Sequence, residues 1–155
     1  MIRIKVEELC AMDIEWYGID KKGNIAVFCS AGAANVPEFI CADKERYEKL
    51  VYLFDKLPVV SDTLVCFKPC KKNHLPVEVA ESFSNKGIYY YDANDCSKSE
   101  KNICVCQEYY TINSKPLIPT KYSDLPIKIQ ELLKDNFLDI DDFENEPVIK
   151  IKNAY

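Results

Sequence analysis

The stretch from Ile14 to Ser30 constrains the fold more than any other part of the chain. Two strand-like runs, Ile14-Glu15-Trp16-Tyr17-Gly18-Ile19-Asp20 and Ile25-Ala26-Val27-Phe28-Cys29-Ser30, flank Lys21-Lys22-Gly23-Asn24. This reads as a hairpin whose short turn sets a glycine at a position suited to positive φ. Period 2 places Ile14, Trp16 and Gly18 on one face and Glu15, Tyr17 and Ile19 on the other, and the returning strand is apolar on both. Strands with two apolar faces need cover on both sides.

Other segments can supply that cover. Asp43 is placed to cap a helix reaching about Leu57, with Tyr47, Leu50, Val51, Phe54 and Leu57 at helical spacing and Pro58 ending it. Lys44, Glu45, Glu48 and Lys49 form its polar side, while Tyr52 and Leu53 widen the apolar stripe toward either core or interface. Leu64, Val65 and Phe67 suggest a short buried strand, and Pro76 opens a second helix through Phe83, stopped by Asn85-Lys86-Gly87. Gly87 to Asp92 and Asn102 to Tyr110 read as a second, tyrosine-rich hairpin, followed by a connection over 111–122. A third helix begins around Asp124-Leu125-Pro126, carries Ile129, Leu132 and Leu133, and ends near Asn136; Val148 to Ile151 suits an edge strand. The expected class is α+β: an antiparallel or mixed sheet built from two hairpins, with about three helices packed on it. A length of 155 residues fits a single globular domain over the whole chain.

Composition narrows the function classes. With 48% hydrophobic and 29% charged residues the chain is neither disordered nor suited to the bilayer, and no 18-residue apolar run is present to span one. A net charge of −5 has the wrong sign for non-specific binding to phosphate backbones, so neither nucleic acid nor membrane is an expected partner. The first eight residues intersperse Arg3, Lys5, Glu7 and Glu8 with apolar positions, unlike an export signal. A cytoplasmic address is therefore expected, where the eight cysteines stay reduced and act as small buried hydrophobes.

Chemistry-bearing constellations are sparse. Cys66-x3-Cys70-x3-His74 offers zinc-type ligands, with Cys104 or Cys106 as a fourth, but the spacing is not that of a structural knuckle. On a strand those last two sulfurs lie about 7 Å apart, too far for one zinc without a bend. A small Cys-dependent enzyme or zinc module centred on Cys66, Cys70 and His74 stands as the alternative reading, since His74 is the sole histidine. No nucleophile elbow, metalloprotease helix, phosphate loop or dinucleotide fingerprint occurs, and four glycines leave little room for one. The expectation is a non-enzymatic protein with no cofactor and no metal. Residues 139–144 lack the glycine and the ligand offsets of a calcium loop.

The acidic run is the principal candidate for binding. Asp135, Asp139, Asp141, Asp142, Glu144 and Glu146 fall within twelve residues that contain no Lys or Arg. As a surface this segment would steer and dock a basic partner, with Phe137 and Phe143 as apolar anchors. It reads equally as a solvated acidic loop. The tiny side chains of Ser30-Ala31-Gly32-Ala33-Ala34-Asn35-Val36-Pro37 allow a ligand or another backbone to come close, or simply form a tight turn.

Asp13 to Asp20, Gly23-Asn24-Ile25-Ala26-Val27-Phe28, Ser30-Ala31-Gly32 and Val36-Pro37 together resemble an opening found in small bacterial proteins of the immunity class in polymorphic toxin systems. Leu125-Pro126-x-x-Ile129-Gln130-Glu131-Leu132-Leu133 is similar to a helix of theirs. The resemblance covers about a quarter of the chain, includes no catalytic motif, and carries no binding residues across. It implies a cytoplasmic, non-enzymatic binding protein that occludes a cognate toxin, and the acidic segment separately suits a toxin with a basic cleft.

Overall fold

The computed structural model describes residues 1–66, 77–93 and 108–152. Its helices are α1 (Val6–Ala11), α2 (Glu38–Cys41), α3 (Lys44–Asp55), α4 (Val77–Ser84) and α5 (Ile127–Leu133). Its strands are β1 (Glu15–Ile19), β2 (Ile25–Cys29), β3 (Thr63–Val65), β4 (Tyr89–Ala93), β5 (Tyr109–Pro116) and β6 (Val148–Lys150). The fold is α+β. One mixed sheet runs in the order β1-β2-β4-β5-β3, with β6 also on β5. The β2–β4 pairing is parallel, and the pairings β1–β2, β4–β5, β3–β5 and β5–β6 are antiparallel.

The first hairpin forms as its pattern requires, pairing Glu15 with Cys29 through to Ile19 with Ile25. Gly23 takes φ +81° in the turn. The Asp20 carboxylate accepts from Lys22 N at 2.9 Å and Asn24 N at 2.8 Å, an Asx-type closure that fixes the strand register. All five residues of β2 are buried, because both faces of the sheet are covered. On one face Trp16, Phe28, Tyr89, Tyr91, Tyr110 and Phe143 cluster, with Trp16 stacked on Phe28 at 4.2 Å. On the other, Tyr17, Val27 and Tyr90 meet Leu50 and Phe54 of α3, Ala80 of α4, and Ile129 and Leu133 of α5. These are the three helices expected on the sheet.

Helix α3 starts where its cap predicts: the Asp43 side chain accepts from Arg46 N at 3.1 Å. Its far end is closed by the Lys86 ammonium, which donates to the carbonyls of Phe54 and Asp55 at 3.3 and 3.0 Å. Gly87 follows at φ +83°, and a Cβ there would lie 2.5 Å from Thr120 N, so the corner admits no side chain.

Several elements differ from the sequence expectation. Strand β5 continues to Pro116, through residues read as a connection, while 102–107 lie outside the described residues. Its polar Ser114 is satisfied inside the fold by a 2.7 Å hydroxyl contact with Ser84, so low apolar content did not signal a loop. Pairing on both edges, with β4 on one and β3 and β6 on the other, supplies what propensity lacked. Strand β3 is not buried: Leu64 is exposed. The third helix divides into a 3₁₀ turn, Tyr122–Asp124, and α5, because Pro126 sits at the N-cap and Asn136 leaves the helix to bond β1.

Candidate functional site

Residues 135–146 form a strap that follows the outer edge of β1 at 136–140 and then meets Tyr89 and Tyr91 of β4 and Lys115 of β5 at 143–146. Ile19 N donates to Asn136 O at 3.0 Å, Leu138 N donates to Ile19 O at 2.8 Å, and Lys21 N donates to Ile140 O at 2.9 Å. Gly18 makes this seat possible, since a Cβ at that position would come within 2.6 Å of Leu138 Cδ1. Asn136 pins the start, donating to Tyr17 O at 2.8 Å and accepting from Arg46 at 2.5 Å. An edge strand is thereby covered and the strap held in one geometry.

The local sequence suggested six uncompensated charges on the strap, but five of them meet a cation. Lys21 bridges Asp139 and Asp141 at 2.9 and 3.1 Å, and Lys22 meets Asp142 at 2.8 Å. Arg46 approaches Asp135 at 4.0 Å, and Lys115 approaches Glu144 at 3.5 Å. Hydrogen bonds from Lys21 and Lys22 hold the Asp139 and Asp142 carboxyls below the ordinary aspartate value of 3.8. Every one of these cations comes from another segment of the chain, which is why a local count of charge missed them. The side chains of Asp139 and Asp141 are nevertheless 95% and 84% exposed, so both pairs are solvent-screened and weak.

The two expected anchors separate. Phe137 is half in solvent, with its ring 5.2 Å from Tyr122. Phe143 is fully buried and belongs to the core, packed on Phe28, Tyr89 and Tyr91. Its backbone N–H donates to the buried Asp20 carboxylate at 2.8 Å, fastening the strap to the hairpin turn. Phe143 is therefore a structural rivet rather than a surface anchor. Glu146 is half-buried, its carbonyl accepting from Tyr91 at 2.6 Å, and Glu144 accepts from Tyr89 at 2.9 Å. Asp142 caps the 3₁₀ turn Phe143–Asn145 by accepting from Glu144 N at 3.0 Å.

A second feature has no counterpart in the linear pattern. A cleft of about 450 Å3 opens between α3 and α4 above β1, lined among others by Glu15, Tyr17, Tyr52, Phe54, Phe83 and Lys86. Glu15 is half-buried, and burial raises its carboxyl above the ordinary 4.5 although the Tyr17 hydroxyl donates to it. Tyr17 in turn stacks on Phe54 at 3.8 Å, which fixes the phenol beneath the carboxylate. The one available signal was that Glu15 shares the strand face of Tyr17 and Ile19, the face that helices must cover.

The remaining candidates are quickly placed. Cys66 is exposed, with its thiol pushed up by desolvation and its sulfur 3.7 Å from Leu64 O. Cys70, His74, Cys104 and Cys106 lie outside the described residues. Among the described residues no group of three or more His, Cys, Asp or Glu is arranged to hold a metal ion. In the small-residue loop, Ala31 N donates to Asp13 at 2.8 Å, and a Cβ on Gly32 would lie 3.1 Å from Cys10 O. The tiny side chains there let the end of α1 come close. No helix among the described residues is long and apolar enough to cross a membrane. Comparison of the chain with protein-family models, curated proteins and solved structures gives no match.

Proposed function

We propose that this chain is a non-enzymatic binding module that neutralises a cognate bacterial toxin in the cytoplasm, as the immunity proteins it resembles do. The observation that carries this reading is the strap: the exposed carboxylates of Asp135, Asp139 and Asp141 and the half-exposed Phe137 ring flank backbone bonded to β1 and its turn, and Glu144 sits on backbone held by Lys115 of β5. A pre-ordered acidic ridge binds without the entropic cost of arranging a loop. Its ion pairs to Lys21 and Arg46 are weak enough to be exchanged for cations of a basic partner.

The test is rescue. The chain is co-expressed with the toxin domain encoded beside its gene, and growth is followed. Suppression of toxicity by a stoichiometric complex is expected, with affinity falling as salt is added. In the doubly substituted Asp139→Asn, Asp141→Asn protein the complex should weaken by roughly fivefold, as expected for the loss of two rim charges. Toxicity undiminished by co-expression would refute the reading, and a complex indifferent to salt and to both substitutions would remove the strap from it.

A further inference from the structure

The geometry points to the α3–α4 cleft as a receptor for an arginine side chain presented by a protein partner. This inference rests on the binding-module reading and names a contact of that function away from the strap. Three observations converge. Glu15 has one oxygen engaged by the Tyr17 hydroxyl, while the other accepts no hydrogen bond and no cation lies within 4 Å, among the described residues. The cation of the lining, Lys86, is committed to the carbonyls that end α3. The walls include the aromatic rings of Tyr52 and Phe83, and Glu48 and Asp55 add two further acidic groups to the lining.

A half-buried carboxylate with no ion pair carries an electrostatic cost that the more distant Lys86 charge only partly offsets, and a ligand bringing the opposite charge relieves it. Guanidinium suits this lining better than ammonium because it is planar, weakly hydrated, able to stack on tyrosine or phenylalanine, and able to direct an N–H at a carboxylate. The Lys56 ammonium lies 5.1 Å from the Tyr52 ring centroid, an exposed contact that an incoming guanidinium can displace or share. A volume of about 450 Å3 falls within the range of sites that enclose a side chain or small ligand. The strap and the cleft both rest on β1 and α3: Arg46 in the first turn of α3 contacts Asn136, and Glu48, Tyr52 and Asp55 line the cleft farther along the same helix.

The experiment is a titration of the full chain followed by NMR. The probes are a short peptide with a single arginine, the same peptide with norleucine in its place, and acetyl-arginine amide. Saturable shifts of Tyr52, Phe83 and Ile88 with the arginine peptide and none with norleucine are expected. Glu15→Gln keeps an oxygen for Tyr17 and should weaken the arginine peptide at least tenfold, and Tyr52→Ala, a change at an exposed position, should weaken it several-fold. No shift at millimolar arginine peptide, or equal affinity in wild type and both variants, would overturn the assignment. Equal affinity for acetyl-arginine amide and the peptide would overturn the protein source of the guanidinium. A chain that takes the peptide but fails to rescue from the toxin keeps the cleft and loses the toxin reading, whereas rescue without peptide binding loses the cleft alone.

Discussion

The strap and the cleft are both acidic, and they handle their charge in opposite ways. On the strap, five of the six carboxylates within twelve residues face Lys21, Lys22, Arg46 and Lys115, all brought from elsewhere in the chain. In the cleft a single carboxylate, Glu15, lies half-buried against aromatic rings with its nearest lining cation engaged by helix carbonyls. Density of charge along a sequence therefore does not locate unmet charge. Desolvation and the position of distant counter-ions do.

The largest test of this contrast is Phe143→Ala. If the strap is riveted through Phe143 into the core, the loss should be about 3–5 kcal/mol of unfolding free energy, measured by denaturant titration. An unchanged midpoint would return Phe143 to the surface and dissolve the distinction between rivet and anchor. Next, Gly18→Ala forces a methyl into Leu138, and overpacking of this kind costs about 1–3 kcal/mol. It should also speed hydrogen exchange at the Leu138 amide, the group bonded to Ile19 O. Strap exchange unaffected by this change would mean that Gly18 does not seat it.

Within the strap the carboxylates should divide. Asp142→Ala removes both the Lys22 pair and the cap on Glu144 N, with an expected cost of about 1 kcal/mol. Asp139→Asn and Asp141→Asn, at exposed positions sharing one lysine, should each leave the denaturation midpoint nearly unchanged. Equal effects across the three would show that exposure does not sort them.

The pH dependence sharpens the comparison by sign. Asp139 and Asp142 titrate below 3.8 in the folded state, so their contribution is present above that pH and lost as pH falls through the lower folded values. Glu15 titrates above 4.5, so its contribution is full below that pH and lost as pH rises through the raised value. Stability profiles of wild type and Glu15→Gln should accordingly diverge above pH 4.5, with the variant relatively more stable, the smallest effect in the series. Parallel profiles would place Glu15 in water.

The first hairpin, the Asp43 cap, the extent of α3 and the presence of three sheet-covering helices were legible because their causes are local. Alternation of side chains, a glycine at positive φ and an aspartate accepting from a first-turn N–H act over a few residues. Strand β5 was legible only in part, since Asn113 and Ser114 carry no strand signal until β3, β4 and Ser84 surround them. The acidic run was visible, but not that Phe143 would turn inward and Phe137 outward. That choice depends on which ring finds Phe28, Tyr89 and Tyr91 across more than fifty residues of chain.

Residue order alone thus settled the class of fold, the position of its first hairpin and best-defined helix, and the acid-rich character of residues 135–146. Packing decided that the acid-rich segment is a strap, that most of its charges meet lysines and arginine far away in the chain, and that Glu15 lines a cleft. Periodicity and capping express forces between near neighbours and can be read along a line. The environment of a charge is set by whatever comes within a few ångströms of it in space, and for Glu15 those neighbours include Phe83 and Lys86, about seventy positions away in the sequence.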